Sequence, residues 1–489
     1  MGGGEQMFKE QIKNCTRAYN DLTPDKPEEE CGIFGIYGPG LDVSRLTYYG
    51  LYALQHRGQE SAGIAVTDGH GIRLHKNMGL VPEVFSEDIL EKLTGKMAVG
   101  HVRYSTTGSS LVVNAQPLVC YYSRGMLALA HNGNLTNVAE LRSSLAAAGS
   151  VFQTTNDSEV IMNLIAKYSQ NSTEDAIIRC MEDIRGSYSL VVMTENKLIG
   201  VRDPYGVRPL CIGKVGDSYV LASESCALDT VGAEMVRDVE AGEIVVIDCD
   251  GLRSVSKMPA KRQASCIFEF IYLARPDSVI DGYYVNQVRR EMGRQLAREY
   301  PVDVDMVISV PDSGNAAARG YAEESGIPFE DGLMKNRYIG RTFIQPTQEM
   351  RSLAVRLKLN PIKNVLKGKR VLMVDDSIVR GTTSGKMVSM VRECGAKEVH
   401  MCISSPPILY PCYYGIDTSC RKELIAAQMP VEGVRKFIGA DGLHYLSQEG
   451  LLKVFGKEMG QCSFCTACFD GDYPIAIPQP DEQMKFLLE

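Results

Sequence analysis

The stretch Glu28-Glu29-Glu30-Cys31-Gly32-Ile33-Phe34-Gly35-Ile36 holds a cysteine that a single peptide-bond cleavage would turn into a chain terminus. A terminal cysteine carries both halves of a nucleophilic catalyst. Its thiol attacks, and its own α-amine, with an unperturbed pKa of about 7.7–8.0, is a base poised near neutral pH. A thiolate is also intrinsically nucleophilic. Such a centre attacks amide carbonyls without help from a histidine, so His56 and His101 are not needed as bases. Taken alone, Cys31 reads more simply as a small buried residue opening a strand. The rest of the chain favours the nucleophile.

A second centre stands at Arg370-Val371-Leu372-Met373-Val374-Asp375-Asp376-Ser377-Ile378-Val379-Arg380-Gly381-Thr382-Thr383-Ser384. A buried strand delivers two adjacent carboxylates into a Gly/Ser/Thr-rich loop that opens a helix. Ligands of open α/β sheets bind beyond the carboxyl ends of the strands. Backbone N–H groups and hydroxyls from Ser377 to Ser384, with the helix N-terminus, make a phosphate cradle. Asp375 and Asp376 suit ribose hydroxyls and a Mg²⁺ ion, a hard cation that prefers oxygen ligands. Acidic residues that merely cap a helix are the plainer alternative. The stretch resembles the phosphoribosyl diphosphate signature of type I phosphoribosyltransferases. In that light the cationic run Lys335-Asn336-Arg337-Tyr338-Ile339-Gly340-Arg341 becomes a lid closing on diphosphate, with Lys335 and Arg341 as its cations. Val310-Pro311-Asp312-Ser313-Gly314 follows another strand end and would meet diphosphate or metal. The family often has serine where Gly314 stands, and Ser313 is the candidate to replace it.

A third group is Cys462-Ser463-Phe464-Cys465-Thr466-Ala467-Cys468. A C-x-x-C pair chelates zinc or an iron–sulfur cluster, and the doubled spacing leaves the register open between Cys462 and Cys465.

The elements that must carry these groups fall into two rhythms. From residue 31 to about 260 short strands dominate: Met97–Val102, Met126–His131, Ser189–Met193, Tyr219–Ser223 and Glu243–Asp248. Two helices interrupt them, Ser44–Leu54 and Asp157–Tyr168, the second capped by Asp157 or Ser158. This pattern predicts stacked sheets covered by helices. Lys257–Ala264 is polar and reads as a linker. Beyond it strands (Asp303–Val310, Arg370–Val374, Glu398–Ser405) alternate with helices (Ala316–Ser325, Thr383–Cys394), the mark of a doubly wound parallel sheet. His131-Asn132-Gly133-Asn134 reads as a tight turn between strands, since Asn-Gly favours one.

Composition sets the bounds. At 489 residues the chain has room for two or three domains, and 44% hydrophobic with 23% charged residues is ordinary for a globular protein. A net charge of −8 gives no general basic field for nucleic acid or anionic lipid, so an anionic substrate needs a local site. No run approaches the ~20 apolar residues of a membrane span, and the polar first thirty residues lack a secretory core. Met1-Gly2 invites myristoylation, but Gln6 stands where Ser or Thr is wanted. The expectation is a cytoplasmic protein. Its fifteen scattered cysteines speak for thiols or metal rather than a disulfide framework. Cys120, Cys180, Cys211, Cys226 and Cys249 read as core filler.

With both centres in view, five further motifs stand in order: Gln55-His56-Arg57-Gly58-Gln59-Glu60-Ser61-Ala62-Gly63, His101-Val102-Arg103-Tyr104-Ser105-Thr106-Thr107-Gly108, His131-Asn132-Gly133-Asn134, Asn156-Asp157-Ser158-Glu159 and Arg202-Asp203-Pro204-Tyr205-Gly206. From Cys31 to about residue 475 the chain resembles the amidophosphoribosyltransferase family, in its propeptide-bearing iron–sulfur form. The resemblance implies a leader, 1–30, removed by autocleavage. It implies an α+β four-layer N-terminal-nucleophile glutaminase domain over 31–262, an α/β type I phosphoribosyltransferase domain over 263–475 and a tail, 476–489. It assigns Arg103 to the α-carboxylate of glutamine, Asp157 to its α-ammonium, and the Asn132 amide and Gly133 N–H to the oxyanion formed when Cys31 attacks. Cys266, Cys412, Cys465 and Cys468 would hold a [4Fe–4S] cluster, with Cys462 spare or alternate; tetrathiolate zinc is the rival. Also implied are an internal ammonia passage, purine nucleotides as feedback inhibitors and a homotetramer.

Two rival readings fail on residues. A different amidotransferase sharing the first domain needs no Asp375–Ser384 cradle. A ligand-sensing regulator needs no complete set of Cys31, Arg103, Asn132 and Asp157. A third, an iron–sulfur redox protein, would be dismissed by an absence of redox activity with nucleotide or ferredoxin.

Overall fold

The computed structural model describes residues 31–104, 111–336, 359–418, 420–456 and 463–477. The expected leader, Arg341, Cys462 and residues 478–489 of the tail lie outside these residues.

Two antiparallel sheets form the first half. One has seven strands, in spatial order Glu234–Asp238, Cys211–Val215, Ser218–Ala222, Gly32–Tyr37, Met97–Arg103, Ser61–Thr67 and Ile72–Met78. The other has six: Gly251–Lys257, Glu243–Asp248, Leu198–Arg202, Gly186–Met193, Gly125–Leu135 and Leu118–Tyr122. Period-two alternation decides what each strand buries. Ile33 joins Val99, Ala130, Val191 and Val245 in the core between the sheets. Its neighbours Phe34 and Ile36 point the other way, into the core shared with helix Val43–Ala53. Helices Ser158–Tyr168 and Thr173–Asp183 cover the outer face of the second sheet. The result is helix, sheet, sheet, helix. At Gly35 a Cβ would come within 2.7 Å of Val191 in the opposite sheet, so the close approach of the sheets needs glycine there.

The second half is built on a four-stranded parallel sheet in the order Met306–Ser309, Arg370–Asp375, Glu398–Ile403, Gly442–Tyr445. Both of its faces are covered. Val307, Leu372, Val374 and Cys402 pack toward helices Val285–Glu299 and Asn315–Ser325. Ile308, Val371, Met373 and Met401 pack toward Thr382–Glu393 and Val431–Ile438.

Four sequence expectations need correction. His131–Asn134 is not a turn. It lies inside the unbroken strand Gly125–Leu135, paired in register with Ser187–Leu190. The glycine there serves a close strand approach instead: Gly133 has φ +145°, and a Cβ would collide with the Ser187 carbonyl oxygen. Lys257–Ala264 is not a free linker, because Lys257 ends a strand and Ala260 and Ala264 donate backbone bonds to Pro204 (2.7 Å) and Tyr205 (2.7 Å). The strand expected from Asp303 starts at Met306, since the Asp303 and Asp305 carboxylates turn out to Arg370. Cys249 is exposed between Asp248 and Asp250 and fills no core.

Candidate active sites

Antiparallel pairing of Gly32–Tyr37 with Met97–Arg103 sets Gly32 opposite Val102. The chain entering at Cys31 therefore meets the chain leaving at Tyr104, and the Cys31 thiol donates to the Tyr104 carbonyl oxygen at 3.5 Å. The residue before Tyr104 is Arg103, whose buried guanidinium donates to Glu60 at 2.8 Å. Thus nucleophile and guanidinium share one sheet end.

The facing sheet is tied to that end by His101. Its Nε2–H donates to the His131 carbonyl at 3.0 Å. Burial and neighbouring cations push the His101 pKa down to about 3, so the ring stays neutral. Asn132, the next residue, is fully buried, and among the described residues neither its Nδ2 nor its Oδ1 finds a hydrogen-bond partner. Gly133 follows in its left-handed conformation. Asp157 reaches the same strand: its Oδ2 accepts from the Leu135 N–H at 3.1 Å, and its Oδ1 lies 3.5 Å from His131 Nδ1. Burial alone would raise the Asp157 pKa. The His131 imidazole and the donors of Leu135 and Ser158 outweigh it and hold the carboxyl below its usual range. This duty replaces capping. Asp157 makes no side-chain cap, and Asn156 Oδ1 accepts the Ser158 N–H at 3.0 Å instead. His56 is committed elsewhere, 2.7 Å from Glu224.

In the second half the carboxyl end of Arg370–Asp375 carries Asp375 and Asp376, both buried. Asp375 Oδ1 accepts the Asp376 N–H at 2.9 Å, and Asp376 accepts hydroxyls of Ser313 and Ser377, each at 3.1 Å. Gly381 turns with φ +79° into helix Thr382–Glu393, which begins with Thr382, Thr383 and Ser384. Arg380 pairs with Glu423 across the loop mouth. Lys335 ends the short strand Leu333–Lys335 and reaches Asp312 at 2.7 Å. Ser313 therefore contacts Asp376 of the aspartate pair directly. A Cβ at Gly314 would collide with the Val374 carbonyl oxygen, which accounts for glycine where the family often has serine.

Cys266 and Cys465 lie directly opposite each other in a two-stranded parallel pair, Ser265–Cys266 with Phe464–Cys465. Together with Cys412 and Cys468 they line one cavity, closed by Phe268 and Tyr414. Burial pushes the Cys465 thiol up to about 12, and burial and the neighbouring cysteines push Cys468 well above its ordinary value. Thiolates in such a place need a soft cation beside them.

Some site-building residues gave no sequence signal. Gln116 accepts the His131 N–H at 2.8 Å and donates to Ser158 at 3.1 Å, pinning two of the motifs together. Arg208 donates from Nε to the Tyr414 carbonyl at 3.0 Å, and Ser187 to the same oxygen at 2.7 Å. The Arg202–Gly206 motif is architectural: Arg202 forks onto Asp281 at 2.7 and 2.9 Å, and Asp203 gathers the N–H groups of Tyr205 (2.9 Å) and Val207 (3.0 Å).

Comparison with known proteins matches both halves of the chain. A glutamine amidotransferase domain profile matches residues 101–230, and a phosphoribosyl transferase domain profile matches residues 285–406. The amidophosphoribosyltransferase of Synechococcus elongatus is 52% identical over 472 residues, covering 95% of each chain. That of Bacillus subtilis is 51% identical over 454 residues, covering 92% of this chain and 95% of its own. A solved structure of the B. subtilis glutamine phosphoribosylpyrophosphate amidotransferase, complexed with ADP and GMP, superposes with a TM-score of 0.87 at 50% identity over 92% of this chain and 98% of its own. A second, described as the allosteric regulatory enzyme of purine biosynthesis, gives 0.88 at 51% identity, covering 92% and 97%. With two catalytic halves in the same order and half of all residues shared over nearly the full length, this chain belongs to the amidophosphoribosyltransferase family of enzymes.

Proposed function

We propose that Cys31, freed by removal of residues 1–30, hydrolyses glutamine within the 31–262 half, and that the 263–475 half transfers the released ammonia to phosphoribosyl diphosphate. The carrying observation is the Asn132 amide, fully buried with both polar atoms unpartnered. Such a group is costly unless it has something to hold. An oxyanion formed on the glutamine amide gives its Nδ2 donor that partner, alongside the Gly133 N–H.

In this reading Arg103 takes the substrate α-carboxylate through bidentate bonds and Asp157, kept ionised by its surroundings, takes the α-ammonium. The Cys31 α-amine accepts the thiol proton, and the sulfur adds to the amide carbon. The same amine returns the proton to the departing nitrogen, so ammonia leaves and a thioester remains. Water then cleaves the thioester to glutamate and restores the thiol. Ammonia attacks the anomeric carbon of phosphoribosyl diphosphate, whose C–O bond to diphosphate breaks. The products are 5-phosphoribosylamine and diphosphate, the first committed step of purine synthesis. Ammonium is not a nucleophile, so an internal passage between the halves belongs to this reading.

The loop from Ser377 to Ser384 would cradle the 5-phosphate, with Arg380, Gly381, Thr382 and Thr383 between them. Asp375 and Asp376 would hold the ribose hydroxyls and Mg²⁺, which when bound neutralises the diphosphate leaving group. Lys335 and Arg341 would close on the diphosphate. Cys266, Cys412, Cys465 and Cys468 would hold a [4Fe–4S] cluster with a structural role. The four line one cavity, and tetrathiolate zinc is the rival occupant. Purine nucleotides as feedback inhibitors fit the ADP and GMP named for the B. subtilis structure. A homotetramer in the cytoplasm completes the reading; among the described residues no helix is long and apolar enough to cross a membrane.

The test is Cys31→Ala. It should abolish glutamine-dependent synthesis and leave synthesis from ammonium salts. Retained use of glutamine would defeat the thioester scheme.

A further inference from the structure

The loop that carries Cys412 also leans on the strand that carries Asn132 and Gly133. The Tyr413 carbonyl accepts the Asn134 side-chain amide at 2.9 Å. The Tyr414 carbonyl accepts the Ser187 hydroxyl at 2.7 Å and Arg208 Nε at 3.0 Å. Ser187 lies in the adjacent strand, paired with Asn134, and its Oγ also accepts the Asn134 N–H at 3.4 Å. Gly415 packs alongside: a Cβ on it would sit in van der Waals contact, 3.5 Å from the carbonyl carbon of Gly133. Two successive carbonyls from a loop nearly three hundred residues away thus fix the peptide on the C-terminal side of Gly133 from two directions.

The Gly133 N–H belongs to the preceding peptide, Asn132–Gly133, and the fixed Gly133–Asn134 peptide governs its orientation through the Gly133 α-carbon. Gly133 has a left-handed φ of +145°, with no side chain to lock it. An oxyanion donor works only when held at hydrogen-bond distance from where the charge develops, and an error of under an ångström is expensive. The hydrogen bonds along Gly125–Leu135 hold one edge of the strand, and the Tyr413–Gly415 loop supplies the constraint at its end.

We propose that the Tyr413–Tyr414 carbonyl pair, read by Asn134 and Ser187, is a positioning element for the oxyanion donors of the glutaminase. Asn134 and Ser187 are then positioning residues for a reaction they do not touch, and a loop of the phosphoribosyltransferase half sets the turnover of the glutaminase half. The inference rests on Asn132 and Gly133 being the oxyanion donors.

The experiment measures Ser187→Ala, Asn134→Ala and the double variant in the full-length protein, with Asn132→Ala as reference. A donor out of place costs less than a donor removed, so the double variant should lower glutaminase kcat about tenfold against about a hundredfold or more for Asn132→Ala. The KM for glutamine should stay within about twofold, because ground-state binding by Arg103 and Asp157 is untouched. Alkylation of the Cys31-containing peptide by iodoacetamide, followed by mass, should keep its rate, as should ammonia-dependent synthesis. Ser187→Thr, which keeps the hydroxyl, should restore kcat. If Asn132→Ala is slow while the Ser187 and Asn134 variants turn over normally, the positioning role is refuted and the oxyanion assignment stands. If Asn132→Ala is itself unimpaired, the assignment falls and takes the inference with it. A parallel fall in ammonia-dependent synthesis, or a loss that Ser187→Thr does not restore, refutes the positioning role in favour of a general brace. Should the double variant fail to fold, the Ser187→Ala value decides.

Discussion

Replacing Asn132 by leucine separates what the residue costs the fold from what it gives the reaction. Leucine has nearly the shape of asparagine and no polar atoms. Asn132 is fully buried, and both side-chain polar atoms lack partners among the described residues. Each such group costs about 1–3 kcal/mol, and replacing it by an apolar group of the same shape is neutral or stabilising. Two groups, discounted for the slightly larger methyl ends, give a gain of about 2 kcal/mol, or roughly 4–8 °C in thermal midpoint for a domain of this size. In the proposed reading the same change removes one oxyanion donor, worth about 2.7–4 kcal/mol of transition-state binding, or roughly 10²–10³ in kcat. The assay pairs calorimetry of Asn132→Leu with glutamate release and with ammonia-dependent synthesis. A protein that melts higher, binds glutamine with unchanged KM, makes product from ammonia and barely hydrolyses glutamine is the expected result. A midpoint several degrees lower, or a kcat within a few-fold of the parent, would show that the amide is a structural group and refute the oxyanion argument.

Other perturbations separate the remaining parts. Asp375→Asn should lower synthesis from glutamine and from ammonia alike by tenfold or more while some glutaminase survives, since a charge-assisted contact is worth about 1.5–3 kcal/mol; steady-state rates with each nitrogen donor decide it. Gly314→Ser should destabilise the second half, because its Cβ would collide with the Val374 carbonyl oxygen, and a lower denaturation midpoint together with weakened phosphoribosyl diphosphate binding is the readout. Cys468→Ser should bleach the visible absorption of an anaerobically purified sample and lower its melting temperature; an unchanged spectrum would dismiss Cys468 as a ligand. Asp157 is held below its usual pKa, so its favourable, ionised form is present above the unfolded value and is lost only as pH falls through the lower folded one. The glutamine KM should therefore show no Asp157 limb from pH 8 down to about pH 4, whereas Asp157→Asn should raise it roughly tenfold or more at every pH in that window.

How much of this was legible depended on whether a signal is local. Glu243–Asp248 was readable to the residue, because Glu-Ile-Val-Val-Ile-Asp is bounded by turn glycine and aspartate. The Arg370–Asp375 strand and its loop were readable for the same reason: four apolar residues, two acids and a glycine-bearing helix start are all within one stretch. The turn expected at Asn132–Gly133 failed because Asn-Gly has two uses. A hairpin needs its positive φ at a corner, but here the positive φ serves a strand pressed against the Ser187 carbonyl, and no local pattern distinguishes the two. Gln116, Ser187 and Arg208 were invisible for a different reason. Each acts through a partner far along the chain, as when Ser187 and Arg208 converge on Tyr414. A single polar residue inside an apolar run carries no spacing from which that partner can be read. The linker expectation erred likewise, since a polar segment looks mobile until its backbone donors are seen to end on Pro204 and Tyr205.

The seam between the halves follows from these long-range bonds. Arg57, buried, bridges Glu224 of the first half and Glu269 beyond it. Arg202 forks onto Asp281, which also accepts Ser265 Oγ at 2.8 Å. Next to that fork, burial pushes the Asp203 carboxyl up to about 6 even as backbone donors from Tyr205 and Val207 satisfy it. Burying such charges costs several kcal/mol per ion, and a well-packed apolar seam would hold two surfaces together at least as strongly. What an apolar seam does not do is fix angle and register, because hydrophobic contact is non-directional. A guanidinium fork does, since it accepts a carboxylate in one plane and one separation. In the proposed reading the two sites pass an uncharged, readily protonated nucleophile from one to the other, which asks for fixed mutual placement more than for stability. The R-D-P-Y-G motif, which touches neither substrate in this reading, is thereby tied to the chemistry of both.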